Sequence, residues 1–179
     1  YFSYLNLGIA LQKNGELDEA AITIRHAIQL NPNSDKAYSN LGAILKDLGQ
    51  LSDAEDCTRK AIKLNPDYTN AYYNLSSILH SQNKYQEAEL AIKKVINMQP
   101  NYPEAYHNLT SILISQNKLN EANILLNLAI KKDSKNPKLY FNLSNIYKMK
   151  FQFEEAKENL LKAIKLKPDY VEAFNNMGN

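Results

Sequence analysis

An asparagine recurs along this chain at an interval of 34 residues that never changes. The six positions are Asn6, Asn40, Asn74, Asn108, Asn142 and Asn176. Similar text surrounds each of them, from Tyr-Leu-Asn-Leu-Gly at the first to Phe-Asn-Asn-Met-Gly at the last. A fixed period of this length indicates stacked structural repeats and argues against a globular domain closed around one core. Because the repeated residue is polar, it is also a candidate for a surface used in binding.

Each repeat carries two apolar stripes at helical spacing. When Tyr1 is counted as position 1 of a 34-residue frame, the first stripe occupies positions 4, 7, 8 and 11, and the second occupies positions 20, 24, 27 and 28. In the second repeat these are Tyr38, Leu41, Gly42, Leu45, then Ala54, Thr58, Ala61 and Ile62. The spacing predicts two amphipathic helices in each repeat, called helix A and helix B below.

Prolines mark the ends of the repeats. Pro32, Pro66, Pro100 and Pro168 follow the second stripe, where proline stops a helix. Pro103 and Pro137 stand at position 1, which is favoured for the first residue of a new helix.

This pattern resembles the tetratricopeptide repeat (TPR) family over the whole chain, with an aromatic residue at position 4, Leu at 7, a small residue at 8, Ala at 20 and Pro at 32. The resemblance implies an all-α solenoid in which antiparallel helix pairs stack into a right-handed superhelix, with helix A on the concave side. It also implies protein binding without catalysis. We expect one array over 1–179, made of repeats 1–34, 35–68, 69–102, 103–136 and 137–170 and a partial sixth at 171–179.

The helical wheel places the asparagines away from the buried stripe. At about 100° per residue, positions 4, 7 and 11 lie within roughly 60° of one another, and positions 2, 6, 9 and 13 centre about 180° away. If the first stripe is buried, the asparagine at position 6 faces outward, and stacking of the repeats forms an asparagine column along the groove.

A column of amides suits an extended peptide, since each amide offers two donors and an acceptor to any peptide backbone. Three rings at position 5, which we expect to be exposed, would add side-chain contacts. The residues predicted to bind peptide are Asn6, Asn40, Asn74, Asn108, Asn142, Tyr73, His107 and Phe141. The column is similar to the asparagine ladder in the TPR arm of O-linked N-acetylglucosamine transferases.

A structural interpretation of the same asparagines stays open. Asparagine at position 6 is common among TPR proteins, where it is inherited consensus or ties adjacent A helices together. Substitution of Asn74, Asn108 and Asn142 by alanine separates the two interpretations, because a purely ligand-binding column would lose affinity with little change in melting temperature.

Two functions are consistent with the groove. The first is a non-enzymatic scaffold that binds an extended peptide or a partner protein. The second is the substrate-recruiting arm of a larger transferase (glycosyl-, sulfo- or methyltransferase) whose catalytic domain is not in this chain. The apolar residues of the first and last A helices have no outer neighbour, so we also expect end-to-end self-association.

The bulk composition excludes several other partners. The net charge of +2 gives no strong attraction to nucleic acid or to a membrane surface. No apolar run is long enough to span a bilayer. The single Cys57 cannot form an internal disulfide, which favours a reducing, cytoplasmic location. We expect no metal, because His80 and His107 do not converge, and no cofactor.

Overall fold

The computed structural model describes residues 1–177, and these form eleven α-helices with no strand among them. The helices are α1 (Phe2–Asn14), α2 (Leu17–Leu30), α3 (Asp35–Asp47), α4 (Leu51–Leu64), α5 (Thr69–Ser81), α6 (Tyr85–Met98), α7 (Pro103–Ser115), α8 (Leu119–Lys132), α9 (Pro137–Met149), α10 (Phe153–Leu166) and α11 (Val171–Met177). Odd-numbered helices are the A helices and even-numbered helices are the B helices. The predicted all-α helix-pair repeat is confirmed, and Pro103 and Pro137 are the first residues of α7 and α9.

A shared backbone device ends helix A in every full repeat. The N–H at position 16 donates to the carbonyl at position 11, as in Glu16 to Leu11 at 3.0 Å and Gln50 to Leu45 at 2.8 Å. This bond requires the residue between, at position 15, to adopt a left-handed conformation. The five residues there are Gly15 (φ 85°), Gly49 (φ 77°), Asn83 (φ 61°), Asn117 (φ 59°) and Phe151 (φ 59°).

The described chain divides into two compact bodies. The N-terminal body covers Tyr1–Pro100 and contains α1 to α6, and the C-terminal body begins at Asn101 and contains α7 to α11. Each body is described by itself, and the single array over 1–179 stays a prediction.

Inside each body the A helices lie side by side. Helix α3 contacts both α1 and α5 in the N-terminal body, and α7 contacts α9 in the C-terminal body. Among the described residues no comparable contact joins α2 to α4 or α4 to α6. The A helices are therefore closer together than the B helices, which places them on the inner side of each body.

The core confirms part of the predicted stripe and corrects the rest. Positions 7, 8 and 11 are buried in the middle repeats, as with Leu41, Gly42 and Leu45. Position 4 is expected in the core from the sequence, but only Tyr106 is buried there, and Tyr4 is 44% exposed. The sequence interpretation misses positions 3 and 10, both buried in the middle repeats. These residues include Ala37, Ala71, Ala105, Ile44, Ile78, Ile112 and Ile146.

Close contact between helices explains the glycine at position 8. A Cβ on Gly42 of α3 would collide with Thr58 Oγ1 of α4 and lie 3.0 Å from the Ala54 carbonyl oxygen. Thr58 Oγ1 already donates to that same carbonyl at 2.8 Å. The backbone of α3 at Gly42 therefore packs directly against α4, with no space for a methyl group between them. This close packing offsets the free-energy cost of a glycine inside a helix.

Apolar side chains are exposed on the first and last helices. Leu7 on α1 is 51% exposed, and Phe174 and Met177 on α11 are 48% and 42% exposed. In the middle repeats the leucines at position 7 are buried. The difference follows from the absence of a further described helix against these faces.

Candidate functional site

Three of the repeated asparagines bond to the preceding A helix of the same body. Asn74 Nδ2 on α5 donates to the carbonyl and the hydroxyl of Ser39 on α3, at 3.2 and 3.0 Å. Asn142 Oδ1 on α9 lies 3.0 Å from His107 Nδ1 on α7, a bond in which the imidazole N–H donates. In the same way Asn176 Nδ2 on α11 donates to Asn145 Oδ1 on α9 at 2.9 Å. These bonds give the column an inter-helix role.

The expectation that the whole column faces solvent is wrong for two members. Asn6 is exposed and Asn40 and Asn74 are half-buried, but Asn108 is 9% exposed and Asn142 only 5%. For Asn142 the physical reason is its bond to α7, which draws the amide between two packed helices. The wheel describes an isolated helix and contains no neighbour, so this burial could not be derived from it.

The exposed edge of the inner face is polar, and some of its side chains pair between A helices of one body. Gln12 on α1 donates to Asp47 on α3 at 3.0 Å, and Lys138 on α9 lies 3.7 Å from Glu104 on α7. Half-buried serines and Asn145 occupy position 9 from the third repeat onward. They are Ser77, Ser111 and Asn145. The face therefore offers uncharged donors and acceptors at position 9.

The three predicted rings differ in exposure. His107 is exposed, whereas Tyr73 and Phe141 are half-buried. Phe141 packs against Tyr170 with ring centroids 5.2 Å apart and joins the core of the C-terminal body. The expectation of three exposed rings holds for His107 alone, because position 5 also faces the following A helix.

One polar atom on this face has no partner. Asn142 Nδ2 is buried and makes no hydrogen bond with any described residue, although the Oδ1 of the same amide accepts from His107. An unsatisfied buried donor costs about 1–3 kcal/mol, so such atoms are rare in folded proteins. Asn142 is thus the member of the column best placed to gain from an added acceptor.

Other candidate groups have structural surroundings. Cys57 packs against the core of the N-terminal body, and burial raises the pKa of its thiol, which suits a packing residue. Burial lowers the pKa of His80, whose ring lies 5.7 Å from that of Tyr85. Among residues 1–177 no three metal-ligating side chains cluster. No described helix combines the length and apolarity needed to cross a membrane.

Comparison with known families identifies the repeat. Models of the tetratricopeptide repeat match residues 1–34, 35–68, 57–90, 79–145 and 137–170. The chain belongs to the tetratricopeptide repeat family. The TPR frame found by the models coincides with the frame defined by the asparagine period, since three matches begin and end at the predicted repeat boundaries.

Solved TPR structures share this fold. YrrB, a TPR protein with an unusual peptide-binding site, is 23% identical with a TM-score of 0.70, over 98% of this chain and 91% of that chain. TTC0263, a thermophilic TPR protein of Thermus thermophilus, is 19% identical with a TM-score of 0.79, over 98% and 96% of the two chains. MamA of Desulfovibrio magneticus RS-1 is 21% identical with a TM-score of 0.77, over 93% and 94%. No curated protein matches the sequence.

The inter-helix bonds of the column are the part of the site that sequence reasoning could only leave open. Ser39, His107 and Asn145 each accept or donate such a bond, and they occupy positions 5 and 9 of the preceding repeat. A signal was present, because each of these residues is polar and stands at position 5 or 9, where the sequence predicts side chains on the groove side. The similarity to the ladder of the transferase arm rests on the column itself and stays a prediction.

Proposed function

We propose that this chain is a non-enzymatic interaction scaffold that binds an extended segment of a partner protein along the inner face of its A helices. The observation that carries the proposal is the buried, unpartnered Asn142 Nδ2 beside the exposed His107. A backbone carbonyl of a bound segment supplies the missing acceptor. Because Nδ2 is buried, the carbonyl reaches it only when a neighbouring side chain moves, and the exposed His107, which bonds Oδ1 of the same amide, is the side chain that we expect to move.

The chemistry of the face favours backbone recognition over charge recognition. Side-chain hydroxyls and amides at position 9 are half-buried and uncharged, so they can bond peptide N–H and C=O groups of any sequence. Asn6 and Asn40 keep accessible amides in the N-terminal body. The similar TPR structure YrrB is described as having an unusual peptide-binding site, which supports the proposal.

The proposal is tested with a phage-displayed library of random, unstructured peptides selected on the wild-type protein. Asn142→Ala is expected to raise the dissociation constant of the selected peptides about tenfold or more. A tenfold change corresponds to about 1.4 kcal/mol, which is the free energy of one well-formed hydrogen bond. Asn159→Ala is the matched control. Asn159 is another buried asparagine, 8% exposed, but it lies on helix B and bonds the Glu155 carbonyl of its own helix.

The control separates binding from folding, because both substitutions remove a buried amide. The proposal is rejected if the two variants weaken peptide binding equally, or if Asn142→Ala leaves the affinity unchanged. Melting temperatures of both variants are measured in parallel, and we expect both to fall, since each asparagine makes a hydrogen bond in the free protein.

A further inference from the structure

The turn between α9 and α10 presents two phenylalanine rings to solvent. Phe151 is 81% exposed and Phe153 is 61% exposed, and their ring centroids lie 6.3 Å apart in an edge-on arrangement. In the other full repeats, glycine or asparagine stands at position 15 and half-buried leucine or tyrosine at position 17. Phe151 also takes the left-handed backbone conformation that bulky residues avoid. This aromatic pair is called the Phe turn.

The N-terminal body contains an open groove between α4 and α6, with α5 as its floor. It has a volume of about 360 Å³. The apolar side chains of Leu75 and Leu79 form its floor and are 5% and 1% exposed. Leu90, on its rim, is 71% exposed. The groove lies on the side of α5 opposite the inner face of the A helices. A side chain bound in the groove would therefore not compete with a segment bound to the inner face.

A small residue opens the groove. Ala91 lines it at position 23 of its repeat. The same position holds Cys57 in the second repeat and Leu125 in the fourth. Because alanine is shorter than either, the groove stays open at this point, although Leu75 and Leu79 are themselves covered within the body and the accessible apolar surface is mainly that of Leu90.

Charges favour an acidic neighbour of the inserted ring. Arg59 on the rim is held by Glu55 and by Glu87, at 2.8 and 2.9 Å. Lys94, also lining the groove, has no carboxylate within ion-pair distance among the described residues. The Phe turn is followed directly by Glu154, whose side chain is exposed.

We infer that the Phe turn of one copy inserts into the α4–α6 groove of a second copy. The two surfaces differ, so the contact is heterologous and leaves a free turn and a free groove at the ends of every dimer. Each aromatic side chain can bury roughly 150–250 Å². One turn in one groove remains below the roughly 1,200 Å² of a stable interface, so the association should be weak and dependent on concentration.

Sedimentation velocity over a series of concentrations tests this contact, with two variants built from residues that the array already uses. Phe151→Gly with Phe153→Leu gives the turn the residues found in the second repeat, Gly49 and Leu51. Leu90→Asp gives the rim the residue found at the same position there, Asp56. The wild type should associate, and each variant should raise the apparent dissociation constant about tenfold or more.

A mixture of the two variants makes the test specific. The turn variant keeps its groove and the groove variant keeps its turn, so together they should form a 1:1 dimer that does not grow further. Leu7→Gln on the exposed α1 face removes the end-to-end contact expected from the sequence, and the association through the Phe turn should persist in this variant. A wild type that is monomeric throughout, a mixture that does not pair, or association abolished by Leu7→Gln and retained by both other variants would overturn the inference.

Discussion

Position 15 shows how a single backbone requirement selects residues. The bond from position 16 to position 11 forces a left-handed conformation there, and glycine meets it without a steric cost. Asn83 and Asn117 tolerate that conformation better than most residues do. Phe151 does not share this tolerance, and its exposed ring gains little packing within its own body in return.

Phe151→Gly should therefore stabilise the fold. The left-handed conformation costs an ordinary residue about 1–2 kcal/mol, and glycine removes this cost. Glycine also stabilises the unfolded chain by its greater conformational freedom, which offsets part of the gain in the free energy of unfolding. We expect a net rise of about 1 kcal/mol in the free energy of unfolding, measured by urea denaturation at a protein concentration where the chain is monomeric. Asn117→Gly is the control and should change stability by a few tenths of that amount. Destabilisation by Phe151→Gly would show that the ring packs usefully.

Gly42→Ala should have the opposite effect. Its new methyl group would collide with Thr58 Oγ1 and press on the Ala54 carbonyl oxygen, which belongs to the backbone and cannot rotate away. Overpacking of this kind costs about 1–3 kcal/mol. Gly8→Ala should cost less, because there the methyl group presses on the Ile24 side chain but stays 3.4 Å from the Ala20 carbonyl oxygen.

A double-mutant cycle checks the cause of that loss. Thr58→Ala removes the hydroxyl that the new methyl group meets, so it should cost less in the Gly42→Ala background than in the wild type. Additive effects of the two substitutions on the free energy of unfolding would contradict the steric account.

Between helices, Glu55 on α4 links the second repeat to the third. It accepts from Lys84 Nζ at the start of α6 at 2.8 Å and from Arg59 on its own helix at 2.9 Å. Burial alone would raise the pKa of the Glu55 carboxyl, but the bonds from Lys84, Arg59 and Gln82 outweigh it and hold that pKa below the usual 4.5. The network therefore favours the charged carboxylate in the folded state.

The sign of the pH dependence follows from this lowered pKa. Stability from Glu55 is present above pH 4.5 and is lost as the pH falls through the folded-state pKa. Glu55→Gln should lower the free energy of unfolding by about 1 kcal/mol at pH 7, and the gap to the wild type should narrow in acid. Glu158→Gln, at an exposed carboxylate on α10, is the control and should change the free energy of unfolding little at pH 7. A gap for Glu55→Gln that is constant with pH would rule out the charged network as its source.

Sequence patterns predict the helices well and the packing around them less well. Two stripes with proline punctuation are sufficient to place every helix A and helix B, because those signals are local. Position 10 is missed although isoleucine recurs there from the second repeat to the fifth, so its signal is present in the sequence. The burial of Asn142 is missed because it depends on His107 in the preceding repeat, which a single-helix wheel does not include.

At the level of the whole molecule, the asparagine period defines the repeat, while the structure shows that its members differ. Asn74 and Asn176 donate across A helices within their bodies, whereas Asn142 accepts and retains a free buried donor. Structural and ligand-binding roles are therefore not exclusive in this column. We propose three contact surfaces for this chain: the inner face of the A helices, the Phe turn and the α4–α6 groove.

Chemical-shift mapping by NMR, with the isotope-labelled protein and a peptide selected from the displayed library, tests the central claim most directly. The account predicts that the perturbed amides and side chains cluster on the A helices, with the Asn142 side-chain NH₂ and the His107 ring among the largest shifts. Perturbations confined to the B helices α6, α8 and α10, with Asn142 unchanged at saturation, would contradict it.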